Sequence, residues 1–320
     1  MLDVALVGSS SPMRELRALI ARVAPLRIPV LIEGATGTGK ELAAALLHRD
    51  SGRTGNFVAF NVCALGESMF EDALFGHVKG AYTGAVGESL GFLREANGGT
   101  VFFDEISGLA LSLQAKLLRA IESGVFRPIG AARDAMSEFR TVAATNEQLR
   151  DLVGEGRFRD DLMHRLSGIT VRMPTLAERV DDIPELVRHF VSRVAGYDMP
   201  VAPPAIVTFQ ETPWPGNVRE LRQVVEASVA FAHRELDIAA VELALAHRSS
   251  RVGASRVVVG HAERRELITL LEHTSGDTGR AAEILGVHRA TVYRRMKRHG
   301  IDVPSGARRR RPSGYTGAAK

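Results

Sequence analysis

Residues 30–40 read VLIEGATGTGK: the apolar run Val30-Leu31-Ile32, then Gly34, Ala35, Thr36, Gly37, Thr38, Gly39 and Lys40. A helical stretch, Glu41–His48, follows. Glycine tolerates backbone conformations that turn successive N–H groups inward around phosphate oxygens. The first turn of the following helix adds partial positive charge. Lys40 is placed to reach the β- and γ-phosphates of ATP. The bare spacing GxxxxGK arises by chance in about one chain of this length in ten, but a strand before it and a helix after it make residues 34–41 candidate ATP ligands. Glu41 stands where a Ser or Thr usually binds magnesium.

Outward from this loop, Phe57–Phe60, Val101-Phe102-Phe103 and Thr141–Ala144 are further strand candidates, separated by helical patterns. Such alternation predicts an α/β fold with a parallel sheet covered on both faces. The second of these strands closes as VFFDEI (101–106). Two carboxylates at the end of an apolar strand are costly without a task. Asp104 is the candidate magnesium holder and Glu105 the group that polarises the attacking water; the alternative is an acidic helix cap. AATN (143–146) offers Thr145 and Asn146 to a γ-phosphate or water, and equally reads as a turn signal.

The predicted boundaries are an α/β ATPase subdomain over 1–173, a helical lid over 174–248, a linker over 249–260, a small helical domain over 261–303 and a basic tail over 304–320. Ile183, Leu186, Val187 and Phe190 carry the helical spacing of the lid. In 261–303 three helices are expected. Leu267, Ile268, Leu270 and Leu271 give the first an apolar face, and Asp277-Thr278 cap the second. Gly286-Val287 make a turn into the third, Arg289–His299. Val292 and Met296 face inward there, leaving Arg294, Arg295, Lys297 and Arg298 for phosphates or bases. Arg289, Ala290, Thr291 and Arg294 lie early enough to approach base edges. The glycine turn and one-sided basic helix are a helix-turn-helix signature; the alternative is an ordinary three-helix interaction module. The Arg308–Arg311 run reads equally as a nucleic-acid arm or a solvated tail.

Composition narrows the class. Of 320 residues 45% are apolar and the formal net charge is +4, which fits a globular protein but names no partner. No apolar run spans a bilayer, the opening MLDVALVGSS does not read as a signal peptide, and solenoid-period repeats are absent. Cys63 is the one cysteine and the ten histidines are scattered, so neither a disulfide nor a structural metal is expected, and a cytoplasmic location is.

In order and spacing, these elements resemble the AAA+ ATPases. GHVKGAYTGA (76–85), FRDDLMHRL (158–166) and WPGNVREL (214–221) make the chain similar, from about Gly8 to Ile301, to the bacterial enhancer-binding proteins that activate sigma-54 RNA polymerase. The resemblance implies that Arg159 and Arg165 are arginine fingers for a neighbouring subunit's nucleotide. Arg219 is the second sensor, and Asn61 holds the Glu105 carboxylate. Gly80, Ala81, Tyr82, Thr83, Gly84 and Ala85 form the loop that engages sigma-54, with tyrosine where the family has phenylalanine. Read from the residues alone, this is a glycine-rich tip presenting one aromatic and one hydroxyl, or a plain surface turn. Arg289, Ala290, Thr291, Arg294, Arg295 and Arg298 fall in a Fis-like segment expected to bind enhancer DNA. Departures are Ala35 (commonly glutamate), Ala177 (commonly arginine) and His288 (commonly a Ser or Thr cap). A homo-oligomeric ring, a hexamer by resemblance, is expected. No sensory domain is expected ahead of the ATPase, and control by a separate regulatory protein is one further expectation. The competing reading is a DNA-binding repressor that uses ATP only as an effector.

Overall fold

The computed structural model describes residues 5–64 and 66–251, together with Leu271, Thr274, Asp277, Thr278, Arg280, Ala281 and Met296. The chain divides into two compact units, Met1–Leu245 and Ala246–Lys320.

In the first unit the strands are β1 (Val30–Glu33), β2 (Phe57–Asn61), β3 (Thr100–Asp104), β4 (Val125–Phe126), β5 (Ala135–Met136), β6 (Arg140–Thr145) and β7 (Ile169–Arg172). Helices α1 (Ser11–Val23), α2 (Lys40–Arg49), α3 (Glu67–Phe75), α4 (Phe92–Glu95), α5 (Leu111–Ser123), α6 (Leu149–Gly154) and α7 (Asp160–Leu166) interleave with them. Then come α8 (Ile183–Ala195), α9 (Pro203–Glu211), α10 (Asn217–Phe231) and α11 (Ile238–Arg251). Five strands form one parallel sheet in the order β2-β3-β6-β1-β7. The α/β expectation holds. The short antiparallel β4–β5 pair stands apart and went unforeseen, as did β7.

Burial on both faces explains the continuous apolar strands. Leu31, Val101, Phe103 and Ala143 point to one side, against Phe70, Leu74, Leu117 and Leu162. Val30, Ile32, Phe102, Val142 and Val171 point to the other, against Met13, Ile20 and Leu47. Successive residues of one strand therefore serve opposite cores. The ends of β1 and β3 converge on one rim, where the chain order of the sheet reverses, the usual place for a ligand in such folds.

The helical part has its own core of Leu186, Val187, Phe209, Trp214, Leu221, Val225 and Val241. Helices α5 and α8 stop at Gly124 and Gly196, both left-handed, with φ of 68° and 75°. A capping box at Thr175 and Glu178 starts the turn that leads into α8. In the second unit, Asp277 Oδ1 accepts the Arg280 N–H at 3.2 Å, the cap expected there, and Met296 is buried. Among the described residues no helix is long and apolar enough to cross a membrane.

Phe209 is fully buried and stacks on Trp214 with centroids 6.1 Å apart. Phe209→Ala is expected to lower the unfolding free energy by about 3–5 kcal/mol in a denaturant titration. Val207→Ala, half-exposed on the same helix, should stay within about 0.5 kcal/mol of wild type.

Candidate functional site

The loop after β1 is held at both ends. Gly34 N–H donates to the Thr145 carbonyl at 3.1 Å, fixing the loop to β6. Gly37 and Gly39 take φ of 81° and 101°, the left-handed region that turns the backbone amides. Thr38, buried, donates its hydroxyl to the Ala35 carbonyl at 2.8 Å. Lys40 Nζ crosses the loop to the Gly34 carbonyl, 2.9 Å away, and lies 3.5 Å from Glu105 Oε1. A cleft of about 350 Å³ opens here, lined by residues 36–42, Asp104 and Glu105 on one side and by Arg219 and α8 residues on the other.

Glu105 has φ 54°, a left-handed position that costs a glutamate roughly 1–3 kcal/mol. Its N–H caps Asp104 Oδ1 at 3.1 Å. The Asn61 amide reaches Asp104 Oδ2 at 3.5 Å, while its own oxygen accepts the Cys63 N–H at 2.8 Å. Asn61 thus meets Asp104 and not Glu105. The register of β2 on β3 sets Asn61 opposite Asp104, and the positive φ at Glu105 carries its carboxylate toward Lys40. Burial, then the charges of Glu105, Asp104 and Glu147, pushes the Cys63 thiol pKa up, so it is a poor nucleophile beside these carboxylates.

The β6 terminus separates its two candidates. Asn146 donates to the Thr36 hydroxyl at 3.4 Å and faces the loop. Thr145 is fully buried, and its hydroxyl is taken by Glu147: it donates to the carbonyl at 2.9 Å and accepts the N–H at 3.0 Å. The Thr145 side chain serves a turn.

Arg219, expected from the sequence, and two residues that were not, Asn217 and Arg179, tie the lid to the loop. Asn217, buried with φ 52°, donates to the Thr36 carbonyl at 3.0 Å and accepts the Leu176 N–H at 2.8 Å. Arg219 N–H donates to the Gly37 carbonyl at 3.2 Å, which brings Arg219 to the cleft. Arg179, buried, donates to the Val7 and Thr38 carbonyls at 3.4 and 3.5 Å and sits 3.9 Å from Asp182. Burial lowers its pKa against the raising effect of Asp182. The sequence signal for Asn217 was present in WPGNVREL; Arg179 carried none.

Arg159 and Arg165 do not line the cleft of their own chain. Arg159 is exposed before α7 and bonds Asp161 through Nε and a terminal nitrogen at 3.0 and 2.8 Å. Arg165, exposed, reaches the Ile121 carbonyl at 3.4 Å. In the 80–85 loop, Gly80 N–H donates to Ala85 and Ala85 N–H to Tyr82, each at 3.0 Å. Tyr82, Thr83 and Gly84 are exposed at the tip. Ala85 is buried at 7% exposure, so it closes the turn and is not presented with the others. Arg289, Ala290, Thr291, Arg294, Arg295 and Arg298 lie outside the described residues.

A family profile described as "Sigma-54 interaction domain" matches residues 6–172. The chain belongs to the sigma-54-dependent transcriptional activators. The profiles for an AAA+ ATPase lid domain and for a bacterial regulatory protein of the Fis family match 177–256 and 259–299. The chain is 36% identical to the DNA-binding transcriptional regulator NtrC of Azospirillum brasilense, over 94% of its own length and 70% of that protein. With the transcriptional regulatory protein ZraR of Salmonella typhimurium identity is 39%, covering 92% and 68%. It is similar to NtrX from Brucella abortus in complex with ADP, with TM-score 0.70, 31% identity and coverage of 93% and 69%. The same protein in complex with ATP gives 0.68 and 32%, covering 92% and 69%. The activator therefore binds and hydrolyses ATP and has sigma-54 and DNA as partners.

A side chain at Gly37 would meet the Gly216 carbonyl and Arg219. Gly37→Ala is expected to weaken ATP binding by at least about tenfold (~1.4 kcal/mol) in a calorimetric titration, with unchanged circular dichroism. Gly52→Ala also carries a positive φ but faces open space, and its ATP affinity should match wild type.

Proposed function

We propose that this activator hydrolyses ATP in clefts shared between neighbouring subunits of a ring, a hexamer, and that hydrolysis moves the 80–85 loop to remodel the sigma-54 polymerase–promoter complex. The observation that carries the shared site is the position of Arg159 and Arg165: both are exposed and outside the cleft of their own chain. A guanidinium supplied by a neighbour stabilises charge developing on the γ-phosphoryl oxygens and makes turnover depend on assembly.

Residues 34–41 cradle the triphosphate, with Arg219 reaching it from the lid and Asn146 from β6. When the triphosphate enters, Lys40 exchanges the Glu105 carboxylate for β- and γ-phosphate oxygens. Glu105 is then free to accept a proton from the attacking water as the water oxygen bonds phosphorus and ADP departs. Asp104 offers carboxylate oxygens at the strand end, the donor type that would hold a magnesium ion together with phosphate oxygens and water. Among the described residues no group of three or more His, Cys, Asp or Glu is arranged to hold a metal. The ion, when bound with ATP, supplies charge neutralisation between the phosphates. Asn61 orients the Asp104 carboxylate that would hold it.

The subdomain bounds proposed are 1–173 and 174–248, then a linker over 249–260, into which α11 runs as far as Arg251, an enhancer-DNA domain over 261–303 and a basic tail over 304–320. Arg289, Ala290, Thr291, Arg294, Arg295 and Arg298 are proposed to touch the enhancer. Tyr82 and Thr83 are proposed to meet sigma-54, on a tip whose backbone Gly80, Ala81 and Gly84 shape. A separate regulatory protein and a cytoplasmic location complete the reading.

Glu105→Gln is expected to keep ATP binding and lower the hydrolysis rate by about 10²–10⁴. Arg159→Ala and Lys40→Ala should each be inactive alone, and a mixture of the two should regain activity, because intact clefts re-form between unlike subunits. No recovery at any mixing ratio would sink the shared site. With purified sigma-54 polymerase, wild type should form open complexes only with hydrolysable ATP. Tyr82→Ala should hydrolyse ATP yet fail to open the promoter.

A further inference from the structure

The tip aromatic of the 80–85 loop is tied to the ATPase body by its hydroxyl. Tyr82 Oη donates to Asp72 Oδ2 at 3.3 Å. The other carboxylate oxygen, Oδ1, lies 2.6 Å from His77 Nδ1. The His77 and Tyr82 rings meet edge to face with centroids 5.2 Å apart. Asp72 belongs to α3, packed in the sheet's core through its neighbours Phe70 and Leu74. His77 is anchored too: its backbone exchanges bonds with Ser89 at 3.1 and 3.0 Å, and Val78 N–H donates to Ile129 at 3.1 Å. The tip beyond is held by short-range turns, with Ala81 N–H donating to the Val78 carbonyl at 3.1 Å and Gly80 N–H to the Ala85 carbonyl at 3.0 Å. Gly80 and Gly84 take φ of 80° and 108°, and a Cβ at either would meet nothing within 4 Å. A fixed base, a pliable tip and one polar side-chain link between them define a catch.

We propose that Asp72 and His77 are positioning residues that stow the Tyr82 ring against α3, and that the Tyr82 hydroxyl is the link broken when the tip engages sigma-54. The proposal rests on the reading of residues 80–85 as the sigma-54 contact. A carboxylate only accepts hydrogen bonds, and Asp72 gives one oxygen to each partner. Asp72→Asn removes the charge and leaves one acceptor oxygen where there were two, so the charge-assisted link to the Tyr82 hydroxyl is weakened. Phenylalanine at 82 keeps the ring contact with His77 but loses the link to Asp72. The stowed tyrosine is 46% exposed, so a partner meets part of the ring and must displace the hydroxyl to reach the rest. Each engaged tip therefore forfeits one partly exposed hydrogen bond to a charged acceptor, which lowers the engaged fraction about three- to tenfold.

The test uses the full chain with Asp72→Asn, Tyr82→Phe and the double variant, titrated against sigma-54 polymerase. Each single change should tighten binding about three- to tenfold, and the double variant should be no tighter than either single, because both remove the same link. Asp72→Asn should leave the ATPase rate at wild type. If Asp72→Asn shifts affinity by the same factor with phenylalanine at 82 as with tyrosine, or if neither single variant shifts it, the catch is wrong. Hydrogen exchange of amides 80–85 without polymerase gives an independent reading: Asp72→Asn and Tyr82→Phe should both speed exchange there. Unchanged exchange in both overturns the catch whatever the polymerase does. Failure of wild type to bind sigma-54, with exchange accelerated as expected, overturns the contact reading and leaves the catch standing.

Discussion

The backbone of Gly37 lies against the backbone of Gly216, and no side chain fits between them. That close approach joins the phosphate loop to the lid. Arg219 N–H bonds the Gly37 carbonyl, and Asn217 bonds the carbonyl of Thr36, so the loop is read from both sides of one peptide turn. Asn217 accepts a left-handed backbone to do this, a conformation asparagine adopts more readily than most residues. These two bonds connect the phosphate loop directly to the first turn of α10. The cleft is a joint as well as a binding site.

On the other side of that joint, charge is arranged with little slack. Lys40 is buried, and Glu105 is largely shielded beside it, the two 3.5 Å apart. Burying one without the other would leave a charge uncompensated in a poorly solvated setting. The left-handed conformation of Glu105 is local strain retained at a functional position, where the surrounding sheet over-determines it. Arg179, with its Nε the buried side-chain polar atom lacking a partner among the described residues, is a second such place. Both border the cleft.

The 80–85 loop follows a different rule. Its glycines at 80 and 84 are needed for backbone shape and not for close packing, whereas Gly76 and Gly91 at its base leave no room for a Cβ because other backbone lies there. Rigidity at the base and freedom at the tip allow a small change in the body to become a displacement of Tyr82. The proposed tie to Asp72 gives that freedom a defined resting position.

Much of this protein was legible in its sequence because it depends on neighbours along the chain. The strand–loop–helix at 30–48, the carboxylates closing VFFDEI, the apolar face of α8 and the cap at Asp277 are local patterns, set by backbone sterics and by burial at a fixed period. The resemblance to sigma-54 activators rested on such patterns taken in order. Tertiary structure decided the rest. It turned Asn61 to Asp104 because parallel register pairs those residues, gave the Thr145 hydroxyl to its own turn, and buried Ala85. It also brought Asn217 and Arg179 to the phosphate loop across 181 and 141 positions of chain. No local pattern encodes which carbonyl a distant side chain will meet, since that choice belongs to the packing of the lid on the sheet. The strand β7 escaped notice for a related reason: Ile169–Arg172 alternates burial along four residues, and only pairing with β1 makes it a strand.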